Sequence, residues 1–314
     1  MPRPRKSLIN LSDTPYYHCV SRCVRRAYLC GKDNQTGKSY EHRRQWVEKR
    51  LLFLAGVFCV DVCAYAVMSN HTHVVLRINK QKADSLSDRD VIRRWHQLYK
   101  GMLLSQRYIN PAESTTLSEA ELETVKSVAV VYRKRLYDIS WFMRMLNEYI
   151  ARRANKEDDC TGHFWEGRFK SQALLDEASL AACMAYVDLN PVRACLASTP
   201  ESSAHTSIQK RINAAKSNRQ PAQLLPFAGN SCNTMPDGLP FRLQDYIELV
   251  ELSGRHFQPN KQGKIEDSAS PILTRVGLAK SDWNEMVTGI ESTFKSSISF
   301  EKFIRQRRKY AGCA

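Results

Sequence analysis

Residues 59–78 read CVDVCAYAVMSNHTHVVLRI, and the reading of this stretch decides the fold. Residues 57–67 are rich in β-branched and small apolar side chains, the composition of a buried strand. Met68, Ser69 and Asn70 interrupt the run with turn chemistry. A second strand opens on His71-Thr72-His73 and continues to Ile78. Alternate side chains of a strand share a face, so His71 and His73 point one way while Thr72, Val74, Leu76 and Ile78 point into the core. Two imidazoles about 7 Å apart on one strand face can chelate a cation.

Working outward, residues 16–24 (YYHCVSRCV) read as an earlier strand, with Arg22, Arg25 and Arg26 supplying cations at one end. The polar loop at 31–39 lacks the spacing of a phosphate-cradling loop. Residues 41–57 follow as a helix with Trp46, Leu51 and Leu54 on its apolar face and Arg43, Arg44, Lys49 and Arg50 opposite. The order to this point is strand, helix, strand, strand. Downstream, residues 87–109 read as one helix, and Ser118 caps another that runs towards Leu136. Asp138 or Ser140 caps an amphipathic helix carrying Trp141, Phe142, Met145, Leu146, Tyr149 and Ile150. Residues 161–171 (TGHFWEGRFKS) read as a short strand or tight hairpin.

Asp176 and Glu177 open a further helix that runs to Asn190, before Pro191, with Leu180, Cys183, Met184 and Val187 as its apolar stripe. Tyr186 and Asn190 fall about 40° apart on one flank of that stripe. From 199 to 240 the composition turns to Ser, Asn, Gln, Pro and Ala, which marks a linker or loosely packed segment. Residues 241–314 read as a small helical region with a cationic tail, RQRRKY, and residues 2–6 as a basic arm.

The chain has 314 residues, 43% of them hydrophobic and 25% charged, the balance of a folded globular protein rather than a disordered one. Its 47 Lys and Arg against 32 Asp and Glu leave a net charge of +15, which favours a polyanionic partner, nucleic acid first. Ten cysteines form no CxxC pair and no zinc-finger spacing, and the opening segment lacks the apolar core of a secretory signal. A reduced, cytoplasmic setting is therefore expected. No apolar stretch approaches the ~20 residues that span a bilayer.

The motif MSNHTHVVL, the segment GHFWEGRFKS and the helix end AYVDLNPVRA occur in this order over residues 13–197. Together they resemble the single-tyrosine HUH transposases, and within them the REP-associated tyrosine transposases. The resemblance implies an α+β fold: a ferredoxin-like antiparallel sheet with helices on one face, here followed by a mainly helical C-terminal extension. It places a catalytic domain at 1–198, with a helical insertion at about 85–137. It implies a tyrosine nucleophile, matched by Tyr186, and a divalent metal, Mg²⁺ or Mn²⁺, held by His71, His73 and Asn190. It further implies a DNA strand transferase that cleaves and rejoins single-stranded DNA at hairpin-flanked sites through a 5′-phosphotyrosine, in a nucleoid-associated monomer or homodimer. The middle HUH position is usually bulky and hydrophobic, and Thr72 is a mild departure.

Each residue also has a plainer reading. Tyr186 can be a packing residue, and Asn190 can simply cap its helix, since the residue before proline is pushed from helical geometry. Tyr149 is the rival tyrosine, but its apolar stripe favours packing. Arg168 and Lys170, with Arg22, Arg25 and Arg26, are the expected DNA contacts, against a solvated surface as the alternative. Phe164 and Trp165 either stack on unpaired bases or pack. His163 is a further imidazole beside them. A zinc-hydrolase reading needs a carboxylate base, for which Asp61 is the nearest candidate. The last alternative is a catalytically silent protein that binds hairpins.

Overall fold

The alternation His73, Val74, Val75, Leu76 divides the molecule into two cores, because it sends successive side chains to opposite faces of one sheet. The computed structural model describes residues 9–24, 29–33, 35–229, 236–256, 283, 287 and 297–299. Strands β1 (Tyr16–Arg22), β2 (Val60–Val67) and β3 (His71–Ile78) are antiparallel, with β3 in the middle. Val62 pairs with Leu76 and Ala64 with Val75, so Cys63 is an extra residue in β2. This bulge reverses the alternation of the strand. Val60, Val62, Tyr65 and Val67 therefore enter one core, and Cys63, Ala64 and Ala66 the other.

Helix α1 (His42–Val57) connects β1 to β2. After β3 come α2 (Lys80–Ser85), α3 (Asp88–His96), α4 (Leu103–Ile109), α5 (Pro111–Ser114), α6 (Glu119–Leu136) and α7 (Ile139–Glu157). Strand β4 (Lys170–Leu174) then pairs antiparallel with the outer side of β1, and a short β5 (Ser297–Ile298) adds parallel to β4. The sheet order is β2-β3-β1-β4-β5. Its first four strands, with α1 and α7, make the ferredoxin-like β-α-β-β-α-β unit. Both of those helices lie on the face of Tyr17, Cys19, Val74 and Leu76.

The opposite face is also covered, by α8 (Glu177–Arg193), α9 (Ser207–Ala215) and α10 (Leu243–His256). Ala178, Ala181, Ala182, Cys183 and Ala185 are small enough to let α8 sit close to the sheet, and the helix is buried nearly all round. Asp188 ties these three helices together. It accepts from the Ser207 hydroxyl, from the Ile208 amide at 3.0 Å and from the Tyr246 hydroxyl at 2.6 Å. Burial pushes its carboxyl up to about 6, against the pull of those donors and of Arg211.

Several expectations need correction. The stretch 199–240 does not behave as a linker where it is described. Arg211 of α9 is fully buried, donating to the Cys63 and Leu225 carbonyls at 2.8 and 3.0 Å, and the Leu225 amide reaches the Val62 carbonyl at 2.8 Å. Thr206 caps α9 by accepting from the Gln209 amide, and the Gln220 side chain bonds the Phe227 backbone. The helix expected over 87–109 breaks at Gly101, where φ is +76° and a Cβ would stand 2.1 Å from the His96 ring. Helix α8 continues through Pro191 to Arg193, so Asn190 is helical rather than terminal. Arg43 is not solvated: it is 1% exposed and clamps α1 to the end of α7 through Glu157 and Asp158 at 2.7 and 2.5 Å. The capping box at Ser118 forms as the sequence indicates. The basic arm at 2–6, the cationic tail and the helices expected after 272 lie largely outside the described residues. Among the described residues no helix is long and apolar enough to cross a membrane.

Candidate active site

The register of β1 on β3 sets Val20 opposite His73 and Arg22 opposite His71, so His18, Val20 and Arg22 share the face that bears the two imidazoles. Helix α8 crosses this face and brings Tyr186 and Asn190 to it. Between them lies a cleft of about 310 Å³. His18, His71, His73 and Tyr186 line its floor, and Arg22, Glu166, Arg168 and Lys170 its rim. The rim loop is held by the Glu166 amide bonding the Arg22 carbonyl at 2.9 Å and by a bridge between Cys23 and Trp165.

His73 is 3% exposed and engaged at both ring nitrogens. Its Nδ1 is 2.9 Å from His18 Nε2, and its Nε2 is 3.2 Å from Asn190 Nδ2. His71 stands edge-on to His73 with ring centres 4.6 Å apart, and its Nδ1 bonds the Asn70 side-chain oxygen. Tyr186 is 2% exposed, with its ring 5.4 Å from that of His73 and 6.2 Å from that of His18, both edge-on. The Arg193 guanidinium lies 5.0 Å from the Tyr186 ring centre. Burial lowers His18 to about 4 and takes His73 well below its ordinary value, helped by His18, His71 and Arg22. Both imidazoles are neutral at pH 7 and hold lone pairs. Among the described residues no three His, Cys, Asp or Glu side chains are grouped to hold a metal; the ring nitrogens and amide gathered at the cleft are those of His18, His71, His73 and Asn190.

A solved structure of a REP-associated tyrosine transposase bound to a REP hairpin is similar to this chain. The two share 9% identity with a TM-score of 0.37, over 71% of this chain and 91% of that one. No family model and no curated protein matches. A TM-score that low assigns no activity, which has to be argued from the cleft.

The sequence candidates divide clearly. Tyr186, His71, His73, Asn190, Arg22, Arg168 and Lys170 come together at or beside the cleft. Arg25 and Arg26 lie outside the described residues. Tyr149 sits on α7 across the sheet, its hydroxyl accepting from Arg153 at 2.9 Å. Phe164 is buried and the Trp165 indole donates to the Asn147 carbonyl at 2.8 Å, so both pack. His163 is exposed and absent from the cleft lining. Asp61 bonds Arg77 at 2.6 Å, six residues along β3 from His71 and so roughly 20 Å away, and it serves no hydrolase there. His18, Gln172 and Glu166 were not legible as site residues in the motif. Applying period-two alternation to YYHCVSR puts His18 on the face of Arg22, a signal that would have found it.

Proposed function

We propose that this cleft cleaves and rejoins single-stranded DNA at hairpin-flanked sites, with Tyr186 as nucleophile. The observation that carries the reading is the convergence of Tyr186 and the two motif imidazoles on one cleft rimmed by Arg22, Arg168 and Lys170. His71, His73 and Asn190 fit a divalent cation, Mg²⁺ or Mn²⁺. Each imidazole has its Nδ1 engaged within the protein, and His73 Nε2, which meets the Asn190 amide nitrogen at 3.2 Å, would become a donor once that amide turns its oxygen to the site. When bound, the cation would neutralise the non-bridging phosphate oxygens and favour the phenolate.

The chain's own residues do the rest. Attack of the Tyr186 oxygen on phosphorus forms the O–P bond and breaks the bond from phosphorus to the 3′ oxygen. The phenol proton passes through solvent to that oxygen. The products are a 5′-phosphotyrosine and a 3′-hydroxyl, and the energy of the broken ester is kept for rejoining. The rim cations hold flanking phosphates. Replacing Arg22, Arg168 or Lys170 with Ala is expected to weaken hairpin binding and to reduce the slope of log affinity against log salt by about 0.7–0.9 for each phosphate no longer neutralised. Binding titrations at several salt concentrations measure that slope.

A catalytically silent hairpin-binding protein is the second reading. It is favoured by the 2% exposure of Tyr186 and by the bond from Asn190 that occupies the His73 Nε2. Single-stranded oligonucleotides carrying palindromes, incubated with Mg²⁺ or Mn²⁺, separate the two. A denaturation-resistant protein–DNA adduct that EDTA prevents supports the transferase. Tight binding without adduct in either metal supports the silent protein.

A further inference from the structure

A histidine outside the His-Thr-His motif meets a ring nitrogen of His73. His18 and His73 lie end to end and nearly coplanar, with ring centres 5.2 Å apart and planes within 17°, and their facing nitrogens are 2.9 Å apart. At that distance one neutral imidazole donates and the other accepts. On its far side His18 Nδ1 is 3.5 Å from the Gln172 side-chain oxygen, which can only accept. Gln172 is held there by strand pairing, since β4 sets it directly opposite His18. With Gln172 turned this way, a proton on His18 Nδ1 leaves its Nε2 to accept and His73 to donate from Nδ1. The lone pair of His73 is left on Nε2, the atom that receives the Asn190 amide.

We propose that His18, oriented by Gln172, is a positioning residue that fixes His73 in the Nδ1–H tautomer and so turns an Nε2 lone pair to the cleft. The arrangement follows the logic of metal-ligating histidines, whose other ring nitrogen donates to a fixed acceptor. Here an imidazole takes the place of the usual carboxylate or carbonyl. Thus the acceptor is buried and neutral, and it adds no negative charge beside a phosphate. The three side chains act as one unit. Turning the Gln172 amide would reverse both imidazoles and put a proton on His73 Nε2. The tautomer itself stands independently of the cation; its use rests on the proposed role of His73 in holding one.

Two-bond ¹H–¹⁵N spectra of the histidine side chains in the full chain, without metal, read the tautomer directly. The expected result is a protonated Nδ1 and a bare Nε2 on His73. His18→Phe, which keeps a planar ring and removes the acceptor, should give a mixture of tautomers. Gln172→Glu, which keeps an acceptor, should retain the single one. Mn²⁺ alone, titrated into the protein, should bind roughly 10–100-fold more weakly to His18→Phe. If His18→Phe does not fold, His18→Gln and Gln172→Leu report on the same proton. A wild-type His73 protonated at Nε2, or a tautomer indifferent to every one of these changes, overturns the proposal. A wild-type protein with the expected tautomer that binds no Mn²⁺ supports it and refutes the metal reading instead.

Discussion

Tyr186→Phe is expected to lower adduct formation with single-stranded DNA by roughly a thousandfold or more, the loss seen when a nucleophile is removed from an otherwise intact site. Hairpin affinity should change by less than about twofold, because binding is assigned to the rim and not to the phenol. The substitution suits its site. The ring is 2% exposed and packs edge-on to His73 and His18, and Phe keeps that packing while removing one oxygen. A parallel Tyr149→Phe protein should retain full adduct yield, since that hydroxyl bonds Arg153 on the far side of the sheet. Denaturing gels with end-labelled oligonucleotide give the yield, and gel shifts on the same samples give the affinity.

Asp188→Ala should destabilise the fold by about 3–5 kcal/mol, since it strips a shared acceptor from the buried Ser207 hydroxyl, Ile208 amide and Tyr246 hydroxyl. Each donor left unsatisfied costs about 1–3 kcal/mol, and the three stand too close together for their losses to add fully. Asp188→Asn keeps one acceptor oxygen and should cost less, about 1–2 kcal/mol. Urea unfolding followed by circular dichroism measures both. Asp188 lies two residues from both Tyr186 and Asn190 along α8 and anchors the other side of that helix, so losing its carboxylate also frees the helix that presents them. Adduct yield in Asp188→Ala is therefore expected to fall at temperatures below its unfolding midpoint.

The first three strands and their order could be read from the sequence because period-two alternation is a local property, whereas the strand expected within 161–171 forms at Lys170–Leu174 instead. His71 and His73 on one face, Val74 and Leu76 on the other, needed no knowledge of distant residues. The helical flank shared by Tyr186 and Asn190 was legible for the same reason, since both lie within one turn. What the sequence concealed depends on partners far along the chain. Arg43 is buried because Glu157 and Asp158 meet it from the end of α7. Arg211 lies in a stretch whose composition resembles a linker, yet it bonds carbonyls of β2 and of the segment beside it. The apolar stripe of α8 understated its burial, because alanines count little in such a stripe but permit close approach to the sheet. His18 escaped notice because it belongs to no motif, and only the pairing of β1 with β3 and β4 sets it between His73 and Gln172. Of the candidate site, Tyr186, His71, His73 and Asn190 were legible, and His18, Glu166 and Gln172 were not.

The most direct test is to digest the adduct formed by wild-type protein with palindromic single-stranded DNA and Mn²⁺, and to locate the modified peptide by mass spectrometry. The expected product is a nucleotide 5′-phosphate esterified to Tyr186, within the peptide that carries AYVDLNP. A nucleotide on Tyr149 or on any other residue, or a bound hairpin with no modified peptide at all, contradicts a Tyr186 nucleophile.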